Sequence, residues 1–182
     1  MFRRRLAVPA VIASLLASGC APQQQDAAEP ADVRPTRFTI APDDYHVPYA
    51  GTAEDGRRFF LTDELFDPSS EPTTGFVGLF LWNADGTFDE VRVDPVAKGD
   101  GPPGQAVSAA AGDLVERRLR ELGDYTLEPI TVEPFTTVVD GATFGWEVGR
   151  YDEADGGGYY IGIRPGDFIV YYAPWDGLDY DT

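Results

Sequence analysis

The stretch that decides the fold is Phe76–Trp82, with the sequence FVGLFLW. Odd and even positions are both hydrophobic, apart from Gly78. Because a strand points successive side chains to opposite faces of a sheet, such a run has an apolar residue for each face. The pattern therefore predicts a central strand that is covered on both sides.

Strand signals continue on either side of this run. Asn83–Gly86 supplies turn residues, and the segment 88–93 then alternates apolar with charged residues, which predicts a hairpin. Further runs of β-branched or alternating apolar residues predict five more strands. The prolines on both sides of residues 130–132 favour a position at the edge of a sheet for the strand predicted there. These runs are 57–62, 130–132, 144–148, 159–163 and 168–172. Segments 64–74 and 98–104 are expected to be surface loops.

One helix is predicted at residues 105–122. Its apolar residues recur at spacings of three and four and form one stripe: Val107, Ala110, Ala111, Leu114, Val115, Leu119 and Leu122. Gly123 is well placed to cap its C-terminus. Since packing of the stripe must supply most of the helix's stability, we predict an α+β fold. This fold would be an antiparallel sheet of five to seven strands with one long helix packed on a face.

The first twenty residues have the order of an export signal. A basic region at Arg3–Arg5 is followed by an apolar run at 6–16 that is too short to span a bilayer. Small residues then precede Cys20. The block Leu16–Cys20, LASGC, resembles a bacterial lipobox, although Ala17 stands where that family prefers Leu.

The lipobox resemblance implies that residues 1–19 are a signal peptide and that Cys20, the sole cysteine, is lipidated. Several acyl chains hold a protein firmly to a membrane, whereas a single chain binds weakly. We therefore expect a membrane anchor at Cys20 and a place in the cell envelope. Ala21 differs from the Asp of an inner-membrane retention signal, so a Gram-negative envelope implies the outer membrane, facing the periplasm. Any other envelope implies the outer face of the cytoplasmic membrane, and an ordinary secretory signal is the alternative.

Beyond the cysteine, the composition changes twice. Residues 20–36 hold Pro, Gln, Ala and Asp with almost nothing to bury, so they are predicted to be the lipidated cysteine and a flexible tether. Residues 37–182 remain for a single domain. A chain of that length buries about two-thirds of its unfolded surface in one core.

The chain is strongly acidic, with 31 acidic against 14 basic residues. Loss of 1–19 leaves 11 basic residues and all 31 acidic ones, which gives a net charge of −20. Because phosphate contacts need clustered Lys and Arg, no nucleic-acid partner is expected. One His and one Cys cannot build the common zinc sites, and no phosphate-binding glycine motif is present, so no cofactor is expected.

The C-terminal segment PWDGLDYDT, residues 174–182, is the most unusual part of the domain, since no basic residue follows Arg164. It supplies our candidate binding surface: Trp175, Asp176, Asp179, Tyr180 and Asp181. Its three aspartates are also weak calcium candidates, because calcium prefers carboxylate oxygens. Simple solvation of these carboxylates is the favoured alternative.

A second resemblance covers residues 76–182. The stretches 123–130 (GDYTLEPI), 140–145 (DGATFG) and 165–167 (PGD), with the PWD…YDT ending, resemble a group of small bacterial proteins. The resemblance brings no catalytic residue to this chain. It implies only that the tail belongs to the domain.

No catalytic residue is predicted. His46 is the sole imidazole, and any Ser-His-Asp arrangement would need it. No serine lies in a G-x-S-x-G motif, so a hydrogen-bonded loop histidine is the favoured interpretation.

Three functions therefore stay open. The favoured one is a non-catalytic binding protein whose acidic surface steers a basic protein partner, as immunity proteins do with toxins. A carboxylate-based glycan hydrolase would need two acids with separated pKa values. A calcium-stabilised structural module would rest on the tail alone.

Overall fold

The computed structural model describes residues 33–70, 74–97, 109–178 and 180–182. The predicted signal peptide, Cys20, most of the tether and the predicted loop at 98–104 lie outside these ranges. Within them, strands take up about half of the residues and one α-helix about a tenth. Among these residues, no helix has the length and hydropathy needed to cross a membrane.

Twelve strands and one α-helix follow one another along the described residues: β1 (Phe38–Ile40), β2 (Tyr49–Thr52), β3 (Arg58–Asp67), β4 (Thr74–Trp82), β5 (Phe88–Ala97), α1 (Ala109–Glu121), β6 (Thr126–Leu127), β7 (Ile130–Val132), β8 (Thr136–Val139), β9 (Ala142–Arg150), β10 (Tyr159–Arg164), β11 (Val170–Tyr171) and β12 (Tyr180–Asp181).

The strands form three antiparallel sheets. The first sheet has five strands in the order β5-β4-β3-β2-β6, and the second has five in the order β12-β11-β10-β9-β8. Strands β1 and β7 pair only with each other among the described residues, with Thr39 opposite Thr131. The prolines at 129 and 134 bound β7 and limit its length, because proline cannot donate to a strand ladder.

One buried cluster joins all three sheets. It includes Phe60 and Phe80 from the first sheet, Trp146 from the second sheet and Phe38 of β1. The ring centroids of Trp146 and Phe60 lie 5.4 Å apart, and those of Trp146 and Phe38 lie 5.2 Å apart. Because each aromatic side chain buries a large apolar area, this cluster is the main source of the domain's stability.

The opposite face of the first sheet is covered by α1. Leu61, Leu79 and Leu81 point to this face and pack with Val115 and Leu122 of the helix segment. Strand β4 therefore has an apolar neighbour on each side, and the prediction of a central, doubly covered strand from FVGLFLW is confirmed.

The predicted fold class was wrong. The structure is mostly β with three antiparallel sheets, and not an α+β fold with one sheet and a long helix. The helix has 13 residues, Ala109–Glu121, while 105–108 lie outside the described residues. The pattern of a strand predicts which of its faces is buried, but it does not predict the sheet to which the strand belongs.

Short strands account for the rest of the difference. β3 continues to Asp67 and takes up part of the predicted loop at 64–74. The prediction missed five strands, each of two to four residues, which are too short to show a period: β1, β2, β6, β8 and β12. The predicted strands near 57–62, 76–82, 88–93, 130–132, 144–148 and 159–163 are confirmed.

Gly112 offers a test of the helix boundaries. It lies inside α1, and a Cβ added there would meet no atom within 4 Å. We expect Gly112→Ala to raise the free energy of unfolding by about 0.5–1 kcal/mol, because glycine is a poor helix former. Urea denaturation measures this change. Gly51→Ala is the control with the opposite sign, since its Cβ would lie 1.9 Å from the backbone carbonyl oxygen of Thr126. A loss of stability in Gly112→Ala would contradict the helical assignment.

Candidate functional site

Strand β3 contains a β-bulge, and two of the acidic residues of the candidate site lie in it. The pairing of β3 with β4 shifts register between Thr62 and Leu65, so Asp63 and Glu64 lie in the bulge. The Thr62 hydroxyl accepts a hydrogen bond from the backbone N–H of Glu64 at 3.2 Å. Bulges break the regular alternation of a strand and redirect its side chains. Here the bulge places two adjacent carboxyl groups shortly after Leu61, the last residue of β3 that pairs with β2.

The loop between β1 and β2 is held by one carboxylate. Asp43 Oδ1 accepts hydrogen bonds from the backbone N–H groups of Tyr45 and Val47, at 2.8 and 2.9 Å. This self-bonded turn is typical of aspartate, whose short side chain reaches its own backbone. Val47 is buried in the core, whereas the Tyr45 side chain is 70% exposed. The backbone of the turn is therefore held by hydrogen bonds, while the side chain of Tyr45 extends into solvent.

The loop meets the bulge through His46. Its Nδ1 lies 2.6 Å from Oε2 of Glu64, and both side chains are half-buried. The ring of Tyr45 packs edge-on against the imidazole, with centroids 3.9 Å apart. The ring of Phe168, from the segment between β10 and β11, also lies near the imidazole, and the two ring centroids are 6.2 Å apart. The structure thus makes His46 a hydrogen-bonded loop residue.

The C-terminal tail closes over the same loop. Tyr180 pairs with Tyr171 in the β11–β12 ladder, and its hydroxyl donates to Oδ2 of Asp43. Thr39 N–H donates to the carbonyl oxygen of Trp175 at 2.8 Å. We call this assembly the loop–tail site and define it as residues 43–46, Asp63, Glu64 and the described residues of 175–182.

The predicted binding residues take different positions in this site. Trp175 is buried, with only 4% of its surface exposed, so it is an anchor of the tail within the core. Tyr180 is half-buried against Asp43, while Asp176 and Asp181 are exposed. Asp179 lies outside the described residues. The exposed apolar group of the tail is Leu178, which the sequence analysis did not select.

The two described calcium candidates make local contacts. Asp176 Oδ1 accepts the N–H of Leu178, and Asp181 Oδ1 accepts the N–H of Thr182, each at 3.0 Å. The described ranges contain no group of three or more His, Cys, Asp or Glu side chains that could hold a metal ion. The geometry therefore supplies no argument for calcium.

Electrostatics differ among the carboxyl groups of the site. Burial raises the pKa of Asp63. It also raises the pKa of Glu64, although the hydrogen bond from His46 opposes it. Burial acts upward on the pKa of Asp43 too, but hydrogen bonds from Tyr180 and from backbone N–H groups outweigh it and hold that pKa below its usual value. Burial, followed by the bond to Asp43, raises the pKa of Tyr180 to about 12.

Asp63 is therefore a source of instability at neutral pH. We expect Asp63→Asn to raise the free energy of unfolding by up to about 1 kcal/mol at pH 7, because it removes a partly desolvated charge. The gain should shrink as pH falls through the raised pKa, since the wild-type carboxyl group then becomes neutral. Chemical denaturation at several pH values measures this change.

Asp67, at the end of the same strand, supplies the control for Asp63. Its Oδ1 accepts bonds from the Ser69 N–H and hydroxyl, which lower its pKa. Asp67→Asn should therefore reduce stability. If Asp63→Asn and Asp67→Asn changed the free energy of unfolding in the same direction, burial of Asp63 would not be destabilising in the way described.

Within the described residues, no arginine forms an ion pair with a carboxylate of the loop–tail site. Seven arginines make ion pairs, and all of these pairs are with acids outside the site: Arg37, Arg57, Arg92, Arg117, Arg118, Arg120 and Arg164. The only ion-pair contact of a site carboxylate within the described ranges is that of Glu64 with His46. The site is therefore a surface of concentrated negative charge.

A separate depression of about 310 Å³ lies where the chain enters the domain. Its lining residues are Arg34, Pro35, Thr36, Glu133, Pro134 and Val148. Glu133 is the only carboxyl group among them. The convergent pair of acids that a glycan hydrolase needs is therefore not found in this depression.

No family model, curated protein or solved structure matches the chain. The functional argument consequently depends on the site itself. Sequence reasoning missed Asp43, Tyr45 and the His46–Glu64 pair as parts of one surface. The available signal was Asp43 two residues before Tyr45, which is the spacing of an aspartate turn.

Proposed function

We propose that the protein is a cell-envelope lipoprotein whose domain binds a basic protein at the loop–tail site. The supporting observation is a cluster of carboxylates that forms no ion pair with a described arginine and of which Asp44, Asp176 and Asp181 are exposed. A surface of this kind attracts a cationic protein over several ångströms and raises the rate of association. The proposal is a non-catalytic one, of the kind by which an acidic inhibitor or immunity protein holds its target.

Apolar groups within the charged surface support the same proposal. Tyr45 and Leu178 are 70% and 81% exposed, and they lie in the loop and in the tail of the site. Interfaces commonly combine a few aromatic or apolar contacts with a charged rim. Tyr45 is additionally supported by the ring of His46, so little conformational freedom is lost when a partner covers it.

The anchor at Cys20 is the second part of the proposal. Lipidation there would hold the domain to the outer membrane, facing the periplasm, or to the outer face of the cytoplasmic membrane. The intact mass of protein purified from membranes tests this step. Cleavage before Cys20 with an added mass of acyl chains supports the anchor, and an unmodified, uncleaved N-terminus overturns it.

Partner binding is tested with the mature domain as bait in an extract of the cell envelope and secreted proteins. We expect one saturable basic partner, whose association rate falls as salt is raised. The double variant Asp44→Lys/Asp181→Lys should lower that rate at least about tenfold at low salt. Asp124→Lys makes a charge reversal outside the site and should have a much smaller effect. A partner that responds equally to both variants, or not at all to salt, would refute the proposal.

A further inference from the structure

The second sheet turns one face to the core and carries tyrosine rings on the other. Ile161 of β10 and Tyr171 of β11 lie opposite each other, and both are fully buried. Because successive side chains of a strand point to opposite faces, the neighbouring Tyr160 and Tyr172 point away from the core. The ring of Tyr160 lies over Gly149 of β9, since a Cβ on that glycine would be 2.1 Å from Cζ of the tyrosine. The glycine therefore makes room for this ring.

Tyr151, directly after β9, joins the two rings. Its centroid lies 4.7 Å from that of Tyr160 and 6.4 Å from that of Tyr172. The hydroxyls of Tyr151 and Tyr172 are 3.1 Å apart, within hydrogen-bond distance. Tyr151 is 39% exposed, and the other two tyrosines are half-buried. We call Tyr151, Tyr160 and Tyr172 the tyrosine face. Because these rings hold one another in place, a ligand that covers them removes little side-chain freedom.

A second row of residues adds carboxylates to the same side of the sheet. Four residues lie opposite one another across β9, β10, β11 and β12: Glu147, Gly162, Val170 and Asp181. Gly162 is two residues from Tyr160, so the two rows share a face and are about 7 Å apart along the strand. Asp167 also reaches this row, because its Oδ1 would lie 3.6 Å from a Cβ on Gly162.

The carboxylates of this row outnumber the guanidinium that contacts them. Arg164 donates to Glu147 at 2.7 Å and also to Asp167. These two acidic side chains are still 49% and 52% exposed. Asp181 is exposed, and its Oδ1 accepts the backbone N–H of Thr182. Three carboxylates against one guanidinium leave two negative charges in excess, so a cation is attracted to the region beside the rings.

We infer that the tyrosine face receives an arginine side chain of the basic partner, whose guanidinium stacks on a ring and pairs with a carboxylate of the neighbouring row. This inference rests on the proposed function, and Asp181 makes the tyrosine face continuous with the loop–tail site. A guanidinium is planar and weakly hydrated, so it can stack on an aromatic ring and bond to a carboxylate, whereas the ammonium of lysine is a strongly hydrated point charge. The β9–β10 hairpin already contains one such contact, because the guanidinium carbon of Arg150 lies 5.4 Å from the ring centroid of Tyr159.

The test titrates the full chain, in a neutral detergent, with two peptides of equal charge: acetylated and amidated tetra-arginine and tetra-lysine. Calorimetry at low salt should give a Kd for tetra-arginine that is about two- to fivefold lower, which is the size expected of one exposed cation–π contact. Tyr151→Leu removes the most exposed ring of the face and should bring the ratio of the two Kd values close to one. Tyr151→Phe keeps a ring at this position and should keep the ratio.

Tyr125→Leu is the matched control. Tyr125 is also 39% exposed, but its ring packs on Phe59 of the first sheet, so its loss should leave the ratio unchanged. If Tyr45→Leu, and not Tyr151→Leu, removed the preference for arginine, the guanidinium would bind at the loop and the inference would be wrong.

The remaining outcomes separate this inference from the proposed function. Equal Kd values in the wild type, or a preference that Tyr151→Leu leaves unchanged, would overturn the inference and leave charge-dependent binding at the loop–tail site intact. Saturable binding of neutral chitotetraose that Tyr151→Leu abolishes, with equal Kd values for the two peptides, would assign the tyrosine face to glycans and would also overturn it. Failure to capture any basic protein from the envelope extract would instead refute the proposed function, and the peptide titration does not depend on that capture.

Discussion

Replacement of Trp146 with alanine should lower the free energy of unfolding by about 3–5 kcal/mol, the largest effect that we expect of any single substitution. Trp146 is 1% exposed. Its ring lies within 5.5 Å of the rings of Phe38, Phe60 and Tyr171, which belong to β1, the first sheet and the second sheet. Loss of this side chain opens a cavity where the three sheets meet, and the surroundings can fill it only in part.

Trp146→Phe is the matched control. The Nε1 of Trp146 has no hydrogen-bond partner among the described residues, so phenylalanine removes volume without removing a hydrogen bond. We expect a loss of about 1–2 kcal/mol. Trp82 differs, because its Nε1 donates to the carbonyl oxygen of Glu133 at 3.0 Å. Urea denaturation followed by circular dichroism measures the free energy of unfolding of the wild type, Trp146→Ala and Trp146→Phe. Similar losses for Trp146→Ala and Trp146→Phe would show that Trp146 is not central to the core.

Asp43→Ala should release the tail and lower the free energy of unfolding by about 2–3 kcal/mol. The substitution removes the acceptor for three hydrogen bonds, two from the loop backbone and one from the hydroxyl of Tyr180. Amide hydrogen exchange should report the local consequence. The backbone N–H of Tyr180 is expected to exchange faster in the variant, while the N–H groups of β4 keep their protection in native conditions.

The effect of Asp43→Ala should depend on pH with a known sign. The pKa of Asp43 is lowered in the folded state, so its contribution is present at neutral pH and is lost as pH falls through that lowered value. The pKa of Tyr180 is raised to about 12. The tyrosine therefore keeps its donor proton in alkaline solution, and its contribution disappears only as pH rises through that value. Between these limits the difference between the two proteins should be flat.

Asp44→Ala is the control for this prediction. Asp44 is the adjacent residue and is exposed, and it should tolerate alanine with a change of about 0.5 kcal/mol or less. If Asp44→Ala and Asp43→Ala had the same stability and the same exchange at Tyr180, the hydrogen bonds of Asp43 would not hold the tail.

The core strands were predictable because their patterns are local. FVGLFLW is long enough and apolar enough to identify a doubly covered strand, and 88–93 shows the alternation of its hairpin partner. The helix was predictable from its stripe and from Gly123, which adopts the positive φ of 70° that suits a helix end. The number of sheets was not predictable, because a period of two does not distinguish one sheet from several that pack together.

The candidate site was predictable only in part. The acidic tail was recognisable from composition, but its partner Asp43 is 137 positions away from Tyr180 along the chain. The bulge at Asp63 and Glu64 leaves no signal in a sequence, because it depends on how β3 pairs with β4. Trp175 could be read either as a surface residue or as an anchor until its neighbours in the core were known.

The amino-acid sequence by itself determined the charge of the chain, the export-signal pattern that ends at Cys20, and the apolar strands and helix that must be buried. These properties depend on residue type and on spacing between near neighbours. Only the tertiary structure decided that the strands form three antiparallel sheets, that the tail returns to the loop at Asp43, and that the arginine ion pairs of the described residues involve acids outside the loop–tail site. Such contacts join residues far apart in the chain, and their energies depend on which surfaces meet in the folded state.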